Sequence, residues 1–451
     1  MKIHIDRAEA WSVRAASSSS ARRRSLSGEA AFPSAFLAEG RTEVAEVLEV
    51  SPRVTRARRA AAPTSLELSV EAAPGEAYVI ATRHPSGALT FHRAVTEAQA
   101  TRRGRRSAAS TFRFVVPVRA DAPEADSGPR RRSLLGKVFK VVVLKIVDRV
   151  TSVAIPLLVK ALEARLWKSA GRAEGWLHVN QAALAAGKLP PVDWRKVPRG
   201  DQPCLLLIHG TFSNAASAYK GLAKREGDAD SDFFARIAPR YGDRIFAYDH
   251  YSLCKTPEEN ARDLLAAMPE GLGPFDVITH SRGGLVLRNL VERSGQFGAA
   301  ARRFRLGHAV LVACPNAGTP IATPTRWQDT VGWFANLLEL FPDNPFTTAA
   351  GFVSEAIVWL ARHLSADIRG LHAMDMRGAP ITELQRPPGP PAGAYSVLAA
   401  NFEPDTNLAL RLADLGLDAF FASANDLVVP TEGGWRVDTG SPPAVDAKRI
   451  G

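Results

Sequence analysis

Regular alternation of apolar and polar positions begins at Ser65, where Leu66, Leu68 and Val70 share one face of an extended chain. Tyr78-Val79-Ile80 predicts the next strand, and a Pro85-Ser86-Gly87 turn leads to another at Leu89-Thr90-Phe91. Phe112 to Val118 alternates again, so residues 61–125 are expected to form a small β-rich domain without recognisable chemistry. Residues 1–60 carry Ser17 to Ser20 followed by Arg22 to Arg24. That composition predicts a poorly structured segment with short elements only around Glu43 to Val50. Leu134 to Leu166 has a different period: Lys137, Lys140, Lys145, Asp148 and Arg149 gather on one half of a helical wheel, and Pro156 ends its first part. Residues 126–200 are therefore read as linker and amphipathic helices. A helix packed on a neighbouring domain is the favoured reading, and a basic helix on a membrane surface is the other.

From Pro203 onward short apolar runs alternate with helical stretches. The runs are Cys204 to Ile208, Ile245 to Tyr248, Phe275 to Thr279, His308 to Ala313 and Tyr395 to Ala400; Pro257 to Met268 and Arg282 to Arg293 read as helices. Such alternation predicts an α/β domain over 201–451 with a mostly parallel sheet covered on both faces. The connection from Pro320 to Gln385 is far longer than an ordinary loop and holds apolar helical runs, so a lid is expected at about 320–385. Within it Trp327, Phe334, Leu337, Leu338 and Phe341 fit an acyl-binding surface and ordinary core equally well.

Composition changes this picture little. The 451 residues fit two or three domains. A net charge of +11 is the kind that attracts nucleic acid or anionic membrane, but it comes with Ala-Arg strings such as Arg56 to Ala61, the mark of GC-rich coding in bacteria. Nucleic acid is accordingly not expected as a partner, and a membrane only peripherally through 134–166. Cys204, Cys254 and Cys314 are the only cysteines, two of them in apolar runs, which points to reduced thiols in a cytoplasmic protein. No secretory signal and no run of about 20 uncharged apolar residues appears. Neither metal-ligand spacing nor a phosphate-cradling Gly loop is present, so no metal or cofactor is expected.

Chemistry concentrates at Asp276-Val277-Ile278-Thr279-His280-Ser281-Arg282-Gly283-Gly284-Leu285. A strand turns directly into a helix with Ser281 at the corner. A turn of that kind lifts the hydroxyl above the sheet edge, and the helix points free N–H groups at developing negative charge.

On this segment the chain resembles the α/β-hydrolase superfamily, in its lipase and lipid-deacylase branch, over roughly residues 203–451. Thr279 stands where G-x-S-x-G has its first Gly, a departure shared by some lipase-like members. Leu205-Leu206-Leu207-Ile208-His209-Gly210-Thr211-Phe212 matches the family's HG loop. The resemblance implies Ser281 as nucleophile and the Thr211 and Arg282 backbone N–H groups as oxyanion donors. His209, Gly210, Thr279, His280 and Gly283 would have supporting roles. Asn425-Asp426-Leu427-Val428-Val429-Pro430 resembles the segment that supplies the lipase acid, which makes Asp426 the triad acid, with Asp405 or Glu403 as alternatives. Cys314 to Pro320 resembles a structural turn at the pocket floor. The activity implied is hydrolysis of carboxylic, including lipid, esters.

A serine hydroxyl needs a base, and in this superfamily the order is Ser, acid, His. No His follows Asp426. Three readings account for this. The chain continues beyond Gly451 with the base, which is the favoured expectation; or His372 or His363 reaches in from the lid; or the protein is a catalytically inactive pseudohydrolase that serves as a binding or effector module.

Overall fold

The computed structural model describes residues 2–6, 10–15, 42–53, 65–73, 76–83, 89–98, 110–117, 139–146, 160, 163–164, 167–168, 171–223, 232–322, 368–399, 429–438, 445 and 450. Two compact units result, the first containing residues 1–152 and the second 153–327, 366–405 and 418–451.

The first unit is antiparallel β structure. Its strands are β1 (Lys2–Ile5), β2 (Trp11–Ala15), β3 (Thr42–Pro52), β4 (Ser65–Ala72), β5 (Ala77–Arg83), β6 (Leu89–His92), β7 (Thr96–Ala98), β8 (Ser110–Pro117) and β9 (Phe139–Ile146). They form a four-stranded sheet, β1-β4-β8-β7, and a five-stranded sheet, β2-β3-β9-β5-β6. Period-2 alternation puts Leu66, Leu68, Val70, Phe112, Phe114 and Val116 into one core with Leu48, Val50, Tyr78, Ile80, Val141 and Val143.

Two expectations fail here. Residues 1–60 contribute three strands, because β2 pairs with the far end of β3, a partner that no local window shows. Part of the expected amphipathic helix is β9, the middle strand between β3 and β5. Val141 to Leu144 are buried on both faces, so the run lacks the alternation of a half-buried strand, and the flanking Lys140 and Lys145 imitated a helical stripe. Helical backbone is found further on, at Lys160, Glu163, Ala164, Trp167 and Lys168.

The second unit alternates strand and helix, as expected. In order come β10 (Gly175–His178), β11 (Cys204–Ile208), α1 (Phe233–Tyr241), β12 (Ile245–Asp249), α2 (Pro257–Ala266), β13 (Phe275–His280), α3 (Gly283–Glu292), β14 (Leu306–Val312), α4 (Arg369–His372), β15 (Tyr395–Leu398) and α5 (Thr431–Trp435). The sheet order is β10-β12-β11-β13-β14-β15, with β10 antiparallel to β12 and the other neighbours parallel. The sheet thus starts at Gly175, upstream of the boundary expected at 201. Its strands are apolar on both faces: Leu206 and Ile208 join one core with Phe246 and Val277, while Leu205 and Leu207 join another with Ile245 and Ala247. A capping box between Thr256 and Glu259, with Pro257 in the first turn, fixes the start of α2. From β11 the chain moves to one side for β12, then crosses to the other for β13. That reversal opens a crevice at the carboxyl ends of β11 and β13.

Residues 323–367, most of the expected lid, lie outside the described residues. Among the described residues no helix is long and apolar enough to cross a membrane, and no cluster of side chains has metal-ligating geometry. Cys204, Cys254 and Cys314 form no disulfide.

Candidate active site

β13 ends at His280 and α3 begins at Gly283, leaving Ser281 at the corner with φ of 51°. A left-handed backbone is costly for a residue with a Cβ and persists only where the surroundings enforce it. Here Ser281 N–H donates to Val312 O at 2.9 Å, and Gly284 N–H to Ser281 O at 3.0 Å. The neighbours have to be small. A Cβ on Gly210 would lie 2.7 Å from Ser281 Cβ, and one on Gly283 would lie 2.3 Å from Ile208 O. Thr279 is fully buried, its Oγ1 3.2 Å from Cys314 Sγ, so the turn accommodates it in place of Gly.

β11 leads into His209-Gly210-Thr211-Phe212 on the other side of the crevice. Phe212 is left-handed too, with φ of 55°, and its N–H donates to Ser252 Oγ at 3.1 Å. Thr211 Oγ1 lies 3.7 Å from Met374 Sδ. Tyr219 OH donates to Ile208 O (2.7 Å) and Ile278 O (2.9 Å), tying β11 to β13. Among the described residues neither the Thr211 nor the Arg282 N–H donates to a protein acceptor. The Arg282 side chain is fully buried, with Nε on Gly370 O at 3.3 Å and Nη2 on Lys255 O at 2.5 Å. Burial pushes its guanidinium down to about 10.

His209 has both ring nitrogens occupied: Nε2 accepts the His250 N–H at 3.1 Å, which leaves Nδ1–H for Gly210 O at 2.8 Å. Its ring stacks on His250 at 4.1 Å, and burial pushes its pKa down to about 3. This imidazole is neutral, and its bonds support the loop. His280 is also held below the usual histidine range by burial. Asp426, Asp405, Glu403 and His363 lie outside the described residues. His372 is on α4, in the segment whose Gly370 carbonyl receives Arg282.

Sequence reading missed three buried charges. Asp249, at the end of β12, is 4% exposed, accepts the Ala215 N–H at 2.7 Å and lies 3.6 Å from His209 Nε2; burial pushes its carboxyl up to about 7. Its position directly after an apolar strand was the available signal. Arg288 on α3 pairs with Glu292 (2.8 and 3.0 Å), and donates to Asn316 O, Leu384 O and Val437 O. Asn316 Nδ2 reaches Gly434 O at 2.6 Å and Ala317 N–H reaches Gly433 O at 2.9 Å, so the Cys314 to Pro320 turn anchors α5. The third is Glu163, 3% exposed, which accepts amides of the loop after β12. A cavity of about 910 Å³ in the same unit is lined in part by Arg172, Trp176, Trp194, Asn214 and Asp249, and Ser281 is not among its lining residues.

Comparison with known proteins gives slight structural likenesses. The chain is similar to a Bacillus licheniformis lipase, BlEst2 in mature form, at 14% identity and a TM-score of 0.30, over 54% of this chain and 85% of that one. It is similar to 1H-3-hydroxy-4-oxoquinoline 2,4-dioxygenase at 15% identity and a TM-score of 0.26, over 52% and 89%. A third likeness is to a putative thioesterase from Silicibacter sp. TM1040, at 12% identity and a TM-score of 0.21, over 51% and 91%. None of the curated proteins compared matches the chain. A family model does match, over residues 170–449, from before β10 to the end of the second unit's described residues but one. The chain belongs to that family, described as a domain of unknown function (DUF7379).

Proposed function

We propose that the second unit is an α/β-hydrolase that cleaves carboxylic esters through an acyl-enzyme on Ser281. The observation that carries this is the conformation of Ser281, held at a φ of 51° in a strand-to-helix corner beside Gly210. Strain of that kind, with a hydroxyl at the carboxyl edge of a mostly parallel sheet, fits a nucleophile elbow. In this reading the hydroxyl attacks the ester carbonyl. The N–H groups of Thr211 and Arg282 receive the oxyanion, and the dipole of α3 favours the same charge. His209, Gly210, Thr279, His280 and Gly283 shape the turn and its facing loop. Asp426 orients the histidine base. The lid sets acyl length, and the protein acts in the cytoplasm on small-molecule or lipid esters without metal or cofactor.

The test is hydrolysis of p-nitrophenyl esters by the complete protein, histidine base included, and by its Ser281→Ala variant. Loss of the nucleophile is expected to lower kcat by about four orders of magnitude or more. Equal turnover by mutant and wild type overturns the assignment. A ligand-protected protein inert in both forms favours the pseudohydrolase reading instead.

A further inference from the structure

Glu163 lies upstream of the residues that the family model matches. A carboxylate out of water is costly unless its lone pairs are used. Here three successive amides converge on it: Ser252 N–H at 2.6 Å and Leu253 N–H at 3.0 Å on Oε1, and Cys254 N–H at 2.8 Å on Oε2. Consecutive amides in such a nest hold an anion, and in this chain the anion is a side chain. Burial pushes the carboxyl pKa up, against the pull of the three amides.

The nest connects to the crevice by two routes. Ser252 Oγ accepts the Phe212 N–H, which fixes the left-handed residue next to Thr211. Leu253 O accepts the Gly370 N–H at 2.8 Å, and the Gly370 and Lys255 carbonyls take the Arg282 guanidinium. Glu163 also contributes the largest of the charges that favour that buried cation. From the same segment Trp167 packs edge-on against Tyr251 at 5.2 Å and lies 6.1 Å from the His209 ring.

We propose that Glu163 is a positioning residue of the hydrolase site, holding through the 252–254 backbone the Thr211 and Arg282 amides that receive the oxyanion. The inference rests on the reading of Ser281 as a nucleophile. Its effect belongs to the transition state: a displaced donor weakens the hold on a developing charge but leaves the ground-state ester bound as before.

The experiment compares the full chain with Glu163→Gln, Glu163→Leu and Ser252→Ala on p-nitrophenyl butyrate. Ser281 is labelled to completion with a fluorophosphonate probe, so that rates are expressed per labelled site. Glu163→Leu is expected to lower kcat per site about 10- to 100-fold with KM within about twofold. Glu163→Gln, which keeps one acceptor oxygen, falls between it and wild type. Ser252→Ala, which removes the link to Phe212 and the longer contact of Ser252 Oγ with Glu163 Oε1 at 3.5 Å, loses several-fold. Fewer labelled sites with an unchanged rate per site, in the Glu163 variants and in Ser252→Ala alike, overturns the proposal and leaves Glu163 a stabilising residue. If Glu163→Leu yields no folded protein, Glu163→Gln and Ser252→Ala decide by the same readout. A wild-type protein that carries the histidine base yet neither labels nor hydrolyses overturns the Ser281 reading, and the positioning role with it.

Discussion

β9 in the first unit and β13 in the second are both interior strands with apolar neighbours on each side, yet only β13 ends at a chemically equipped corner. The difference lies in strand direction. Around β9 every neighbour runs antiparallel, so successive connections leave from opposite edges of the sheet and their side chains are dispersed. Around β13 the neighbours run parallel, so the loops after β11, β12, β13 and β14 all leave from one edge. His209 to Phe212, Asp249 to Cys254, Ser281 and the Cys314 turn therefore meet in one crevice. Burying a strand on both faces gives stability in either unit, but among the described residues converging strand ends gather polar and titratable groups at one edge in the second.

The largest expected effect tests whether that convergence depends on a single buried cation. Removing Arg288 leaves the buried Glu292 carboxylate without its cation, with the Tyr395 hydroxyl still on it, and takes a donor from the carbonyls of Asn316, Leu384 and Val437. Arg288→Ala is expected to cost about 3–5 kcal/mol in urea unfolding. Its counterpart in the first unit is Phe114→Ala, a cavity in the apolar core between the sheets, with a cost of about 3–5 kcal/mol. Hydrogen exchange separates the two: protection should fall first in α3, β15 and α5 for Arg288→Ala, and in β4 and β8 for Phe114→Ala. Loss of protection spread evenly over both units in either variant would erase the contrast. Gly210→Ala sharpens it at the site itself. The added methyl meets Ser281 Cβ at 2.7 Å and His280 O at 3.0 Å. Overpacking of about 1–3 kcal/mol is expected, with a loss of ester turnover well beyond what the lower stability explains; turnover at the wild-type level would separate Gly210 from the chemistry.

The smallest effect is electrostatic. The folded-state pKa of Asp249, near 7, is raised above its unfolded value. A group of that kind contributes stability fully below the unfolded pKa and loses it as pH climbs toward 7. Asp249→Asn keeps an acceptor for the Ala215 N–H and removes that loss, so its unfolding free energy in urea should exceed that of wild type by a margin that grows from pH 5 to pH 8. His209 works in the opposite sense: with its pKa lowered to about 3, it costs stability as pH falls from about 6.5 toward 3. Parallel curves for the Asp249→Asn and wild-type proteins would show that the carboxyl does not titrate in this window.

What could be read from the sequence follows the same division. The parallel strands announced themselves as continuous apolar runs bounded by helices, and the Ser281 corner was legible because its geometry demands small residues within a few positions in the chain. Period-2 runs located β4, β5, β6 and β8. By contrast β3 was marked only as a short element around Glu43 to Val50, and β2 and β9 went unread, since their partners lie far away in sequence and Val141 to Leu144 have no polar side to mark a phase. Around the corner, the Ser281 turn and the His209 loop could be located by position, whereas the contacts of Glu163, Asp249 and Arg288 could not. Each is a charge whose purpose is set by carbonyls or amides from distant segments, and an isolated acidic or basic residue in a sequence looks like surface.

Arg282 carries two consequences in one residue. Its backbone follows Ser281 at the corner, while its guanidinium is anchored by the Gly370 and Lys255 carbonyls, and Gly370 in turn is bonded to the loop that Glu163 holds. Gly370 has no room for variation, because a Cβ there would lie 2.0 Å from Ser252 O. Positions 163, 282 and 370 are therefore mechanically coupled: altering any one alone would shift the backbone that the other two hold. The boundary of the working domain is then set by this shared constraint, and it falls upstream of the first strand of the sheet.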